Sequence, residues 1–241
     1  MLKSRALILF LALALLAGCT LTRVTSITGS GNVVTQEETL TGFDKVDVSH
    51  AFEVEVSQGE AFSVVVHIDD NLVQHLRVDK RGRTLEVGLR PGRMFNIRQA
   101  TMQAEVTMPE LTGVELSGAS HATLTGFKST KALEVDLSGA SSLRGDVEAG
   151  NVRFDLSGAS DVTLTGSGRD VAIDASGASE VDLAGFPVDD ADVDLSGASE
   201  ATVNPSGRLN VDASGASDVY YLGSPTLGRV QTSGGSSVGQ K

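Results

Sequence analysis

The stretch LSGASDVTLTG, Leu156 to Gly166, decides how this chain folds. Its Ser-Gly-Ala-Ser core begins at Ser117, Ser138, Ser157, Ser176, Ser196 and Ser214, and a degenerate copy begins at Ser233. The intervals are 21, 19, 19, 20, 18 and 19 residues. A period near twenty that tolerates slips of one or two residues fits stacked coils in which strand length is fixed and one loop varies. Leucine-rich repeats share the period but need a Leu-rich consensus with Asn or Cys at a set place, which is absent here.

Apolar residues alternate with polar ones on both sides of each copy. Val152, Phe154 and Leu156 interleave with Arg153, Asp155 and Ser157; Val162 and Leu164 interleave with Asp161, Thr163 and Thr165. Period-two alternation marks strands with one buried face. The Ser-Gly-Ala-Ser between them is the corner: Gly tolerates the backbone angles of a sharp bend, Ala is expected inside it, and Ser hydroxyls can bond nearby backbone groups or each other along the stack. Two strands and a corner every twenty residues build a parallel β-helix, a β-solenoid with rungs roughly 4.8 Å apart. The composition agrees. With no Trp, two Tyr and eight Phe beside 27 Gly, the chain suits a narrow aliphatic interior better than a thick globular core.

Stacked copies also line up their outward residues. Two positions before each motif stand Glu115, Asp136, Asp155, Asp174, Asp194 and Asp212, then Gln231; the position after each motif gives His121, Ser142, Asp161, Glu180, Glu200 and Asp218. Like charges about 4.8 Å apart repel by roughly 0.9 kcal/mol in water and several-fold more at an effective dielectric near 20. Splaying into water, salt screening, partial protonation or a bound cation would each relieve this. Asp136, Asp155, Asp174, Asp194 and Asp212 are therefore candidate cation ligands, with calcium the fitting ion for oxygen donors. Neither the EF-hand loop nor the glycine-rich nonapeptide that binds calcium is present, so no metal site is firmly predicted.

The N-terminus addresses the compartment. Lys3 and Arg5 precede an apolar run, 6–16, that ends in Leu16-Ala17-Gly18-Cys19. The run is too short to span a bilayer, and small residues precede the single cysteine, as in a bacterial lipoprotein signal. Cys19 would become the first mature residue and carry acyl chains such as palmitate, anchoring the protein to a membrane. Thr20 and Leu21 resemble residues that follow the cysteine in outer-membrane lipoproteins. The expected organisation is a signal peptide at 1–18, a lipidated N-terminus and linker at 19–42, a β-helix domain at 43–225, and a last degenerate coil with a tail at 226–241.

Net charge is −12, and residues 109–241 hold 19 Asp and Glu against 8 Lys and Arg. Nucleic acid and anionic lipid surfaces are recognised through Lys and Arg, so no nucleic-acid partner is expected. The basic stretch Arg77, Lys80, Arg81, Arg83, Arg90, Arg93 and Arg98 is the exception; solvated surface or contact with an anionic glycan or headgroup are its two readings. Residues 28–108 are β-rich without a visible period. Segments 43–48, 51–57, 61–68, 84–89 and 101–108 read as strands and 70–76 as one helical turn, while Val46 to Val54 echoes the strand, corner, strand plan. Wider coils that continue and cap the rod are expected here, with a separate small β domain as the alternative.

Catalysis finds no footing. No Gly-x-Ser-x-Gly elbow joins a strand to a helix, and His50, His67, His75 and His121 lack metal-ligand spacing. Catalytic carboxylate pairs need different environments, whereas the acids here repeat from coil to coil. No catalytic residue and no cofactor are predicted. The rival reading is a carbohydrate-active β-helix enzyme, a polysaccharide lyase or hydrolase, and fold alone does not choose.

Several motifs in order, Gly29-Ser30-Gly31-Asn32-Val33, Phe43-Asp44-Lys45-Val46, Asp70-Asn71-Leu72, Met108-Pro109-Glu110-Leu111, the Ser-Gly-Ala-Ser series and Tyr220-Tyr221-Leu222-Gly223-Ser224-Pro225, resemble the bacterial "putative auto-transporter adhesin, head GIN domain" family. That resemblance implies a right-handed β-helix on an exported, often lipid-anchored protein, and it offers no catalytic residues to transfer; the favoured function is a non-enzymatic envelope lipoprotein that presents a long β surface to a glycan, a protein or the cell wall.

Overall fold

The computed structural model describes residues 24–90 and 94–241. It is a β-solenoid made of a 10-stranded and an 11-stranded sheet, with a separate two-stranded parallel sheet of Val24–Thr28 and Met94–Arg98. In each regular coil the strand before Ser-Gly-Ala-Ser joins the first sheet and the strand after it joins the second. Val152–Leu156 pairs in parallel with Leu133–Leu137 and Asp170–Ala175, while Asp161–Ser167 pairs with Ser142–Glu148 and Glu180–Val188. Inward residues from the two sheets fill one continuous narrow core. Val135, Phe154, Ile173, Val193 and Val211 face it from the first sheet, and Leu143, Val162, Val181, Ala201 and Val219 from the second. All are at most 3% exposed.

The corner works differently from the expectation in one respect. Ala119, Ala140, Ala159, Ala178, Ala198 and Ala216 lie outside, and the buried residue is the second serine: Ser120, Ser141, Ser160, Ser179, Ser199 and Ser217 are each at most 1% exposed. Each of these hydroxyls donates to the carbonyl of the first serine of its motif at 2.8–2.9 Å. A bend turns a carbonyl toward the interior, and a buried acceptor needs a donor; Ala has none, so Ser takes the inward place. The exposed Ala donates its N–H to the Gly carbonyl one rung below, as Ala178 does to Gly158 at 2.7 Å.

Sheet order at the N-terminal end departs from chain order. Lys45–Val48 and Glu53–Gln58 pair directly with Gly113–Leu116 and His121–Lys128. The later strands Thr84–Leu89 and Met102–Met108 stack on the far side of that coil, so residues 45–58 sit between these two strands and the repeats. Beyond them the pairing turns antiparallel, with Leu76–Arg81 on the first sheet and Ser63–Asp69 then Val33–Glu38 on the second. This antiparallel layer covers the end of the parallel stack, which an open edge requires. The two sheets run without a break from this end into the repeats, so the N-terminal half continues the rod. The expected helical turn is the 3₁₀ segment Asp70–His75, and the segment expected as a linker contributes Val33–Glu38 to the second sheet.

The predicted echo at Val46 to Val54 is a corner of the same kind. Ser49, His50, Ala51 and Phe52 stand below Ser117, Gly118, Ala119 and Ser120, since Ser117 N–H donates to Val48 and His121 N–H to Phe52. His50 and Ala51 hold φ of 66° and 62°, the left-handed region that costs non-glycine residues roughly 1–2 kcal/mol each. Phe52, fully buried, fills the inward place that Ser occupies in the later corners.

Candidate functional site

The predicted acidic column is real as a register. Glu115 pairs with Asp136, Asp136 with Asp155, Asp155 with Asp174, Asp174 with Asp194, Asp194 with Asp212, and Asp212 with Gln231. It also runs further than the repeats do, because Glu115 pairs with Asp47 and Asp47 with Glu86. Eight acids thus occupy consecutive parallel rungs of the first sheet, and Asp79 faces Glu86 from the antiparallel strand beyond them. The pattern apolar-acid-apolar in Val46-Asp47-Val48 and Leu85-Glu86-Val87 is the sequence signal that marks the two extra members. Both ends of the column meet cations. Glu86 is paired with Arg77 and with Arg81 at 3.3 Å, and Arg229 approaches Asp212 at 3.8 Å.

Electrostatics differ along the column. Burial pushes the Asp47 carboxyl above its ordinary range, with Arg77 and Arg81 pulling the other way. Burial likewise raises Glu115, with help from Asp47 and Asp136. It raises Asp136 too, helped by Asp155 and Glu134 and opposed by Lys45 and Arg153. Repulsion between rungs is therefore present but second to desolvation at Glu115 and Asp136. Beside the column, small Ala172 leaves a shallow groove of about 280 Å³ flanked by Arg153, Asp174, Asp192, Asp194 and Arg229. Among the described residues, no group of three or more His, Cys, Asp or Glu is arranged to hold a metal ion.

The second column also stacks as expected, from His121 through Ser142, Asp161, Glu180 and Glu200 to Asp218. It extends to Glu53 and Gln103 on the capped side. Here rungs are tied by hydrogen bonds: Gln103 Nε2 donates to Glu53 at 3.0 Å, His121 and Ser142 are 2.6 Å apart, and Ser237 donates to Asp218 at 2.5 Å. Two of the histidines, His67 and His121, share this column, three rungs apart with Gln103 and Glu53 between them, while His50 sits at the corner. Burial, then Arg77, lowers the His50 imidazole from its usual value.

Much of the basic stretch is turned on the protein itself. Besides Arg77 and Arg81 on Glu86, Arg83 grips Asp44 and Arg90 donates to the Leu76 carbonyl at 3.2 Å. Arg77, Arg81 and Arg83 thereby balance acids at the capped end. Cys19 and the signal segment, like Arg93, lie outside the described residues, and among the described residues no helix is long and apolar enough to cross a membrane.

Comparison with known proteins agrees with this architecture. The family described as "Putative auto-transporter adhesin, head GIN domain" matches residues 42–225. A crystal structure of a putative adhesin from Bacteroides fragilis superposes with a TM-score of 0.77 at 18% identity, covering 89% of this chain and 100% of that one. A putative lipid binding protein from Parabacteroides distasonis gives 0.73 at 17% identity, covering 90% and 100%, and a putative adhesin from Parabacteroides merdae gives 0.65 at 17%, covering 90% and 99%. At such identities the likeness is one of fold. No curated protein matches the chain.

Proposed function

Since the chain belongs to the "Putative auto-transporter adhesin, head GIN domain" family over residues 42–225, we propose that it is a non-enzymatic adhesion protein of the cell envelope, tethered by lipid at Cys19. The observation that carries this reading is the pair of unbroken outer faces on one rigid stack, the first of them holding eight acids on consecutive rungs. Such faces favour multi-point contact with an extended glycan, cell-wall polymer or protein. The sequence around Cys19 supports attachment to the outer membrane of a Gram-negative envelope.

Two readouts test the proposal. Cys19→Ser should move the protein from the membrane fraction to the soluble one and abolish labelling by palmitate analogues; unchanged fractionation would reject the anchor. Cells displaying the wild-type chain should adhere to glycan-, cell-wall- or matrix-coated surfaces more than cells lacking it. Robust release of reducing ends or unsaturated products from polysaccharides would instead make it an enzyme.

A further inference from the structure

Five phenylalanines, Phe43, Phe52, Phe127, Phe154 and Phe186, are buried, whereas Phe62 reaches solvent. It sits just before the strand Ser63–Asp69, and its ring tilts against Phe43 at 4.8 Å between centroids. Together with Gly42, Asp44, Arg83, Pro109 and Glu110 the two rings line a cavity of about 340 Å³ at the capped end of the rod.

The polar groups at this cavity are held in place. Asp44, 6% exposed, accepts from Arg83 Nε at 2.9 Å and from Arg83 Nη2. The Arg83 carbonyl in turn accepts from the N–H groups of Asp44 and Lys45 at 3.0 and 3.1 Å. The Arg83 side chain nevertheless remains 69% exposed, with Nη1 unpartnered among the described residues. Lys80 Nζ reaches the Gly42 carbonyl at 3.4 Å, and Glu110 accepts from Lys131 at 2.6 Å. A fixed guanidinium, two carboxylates and an aromatic wall therefore line this space, and the Lys80 ammonium stands at its Gly42 edge.

We propose that this cavity binds an acidic saccharide, with the apolar face of one pyranose ring on Phe62 and Pro109 and its carboxylate on Arg83 Nη1 and Lys80. The assignment rests on the adhesion reading and names its ligand class. An aromatic ring is a flat apolar partner for a ring's C–H face, and a guanidinium with donors to spare forms charge-assisted bonds to a carboxylate. Ring hydroxyls need donors and acceptors together, which Lys80, Glu110 and the Gly42 carbonyl supply. Charge complementarity selects the acidic class. An anionic polymer is repelled by the eight-acid column and is steered to the cationic hairpin tip at Lys80, Arg81 and Arg83.

Calorimetric titration of the full chain tests this, with oligogalacturonides and sialyllactose as acidic probes, cello-oligosaccharides as neutral ones and phosphatidylglycerol vesicles as a lipid control. At least one acidic probe should bind, and Phe62→Ala and Lys80→Met should each weaken it tenfold or more. Neither variant removes the Arg83–Asp44 pair, and Asp174→Asn on the distant column should bind as wild type does. Acidic-saccharide binding that survives both Phe62→Ala and Lys80→Met overturns the cavity and leaves the adhesion reading standing. Silence from every acidic probe, equal binding of neutral probes, or binding of the vesicles alone overturns the ligand class.

Discussion

Replacing Gly177 by Ala isolates the contact on which rung stacking depends. Gly177 holds φ of +83°, and a methyl there would overlap the Gly158 carbonyl oxygen one rung below. That same oxygen accepts the Ala178 N–H at 2.7 Å, so the methyl cannot be accommodated without spreading the ladder. Left-handed backbone costs a non-glycine residue roughly 1–2 kcal/mol, and forced overpacking adds about 1–3 kcal/mol. Gly126 provides the comparison, because its φ is +76° but nothing lies within 4 Å of an added methyl. Gly126→Ala should therefore lose only the backbone part, about 1–2 kcal/mol, and Gly177→Ala about 2–5 kcal/mol in all. In urea, with a slope of about 2 kcal/mol per molar, the midpoint of Gly177→Ala should fall below that of Gly126→Ala by at least about 0.5 M. Equal midpoints for the two variants would refute the stacked-carbonyl geometry.

Three further outcomes follow from the corner and the columns. Ser179→Ala should cost about 1–3 kcal/mol by orphaning a buried carbonyl, while Ala178→Ser on the outside should stay within about 0.5 kcal/mol of wild type; urea melts showing the reverse would put Ala inside. Burial raises the folded pKa of Asp47, Glu115 and Asp136. Their contribution to stability is thus fully present below the ordinary carboxylate range and is lost as pH rises through the folded values. Thermal melts of Glu115→Gln should gain on wild type as pH climbs from about 4 to 7, and a constant gap would reject the shift. Millimolar calcium, added to chelator-treated protein, should raise the melting midpoint no more than sodium chloride of equal ionic strength does; a calcium-specific gain would turn the first column into a cation site.

Much of this fold is written in the repeats, and the reason is physical. Identical corners must stack on identical corners, so the period, the two strands per coil and the column from Glu115 to Gln231 could be read directly. The inward residue of the corner was not legible from size alone, since hydrogen-bond demand puts Ser160 rather than Ala159 inside. The capped end hid its order for another reason. Pairing partners there are distant in sequence, and nothing local in Lys45–Val48 shows that Thr84–Leu89 lies on one side and Gly113–Leu116 on the other. Leu76–Arg81 and Val33–Glu38 carry weak alternation because these two outermost capping strands bury little of either face. The cavity at Phe62 joins residues from segments far apart in the chain, and nothing local sets Arg83 apart from its basic neighbours, because its buried partner Asp44 lies 39 residues away.

Electron spin distances test the stacking most directly. Cys19 is the single cysteine, so in a Cys19→Ser background, label pairs can be placed at Glu53 and Glu200, and at Gln103 and Glu200, all on the second column. Glu53 reaches Glu200 through His121, Ser142, Asp161 and Glu180, five rungs or roughly 24 Å, and Gln103 lies one rung beyond Glu53, roughly 29 Å from Glu200. The solenoid predicts the longer distance for Gln103, the residue nearer to Glu200 along the chain. A shorter distance from Gln103 than from Glu53, or separations that fit no multiple of the rung spacing, would contradict it.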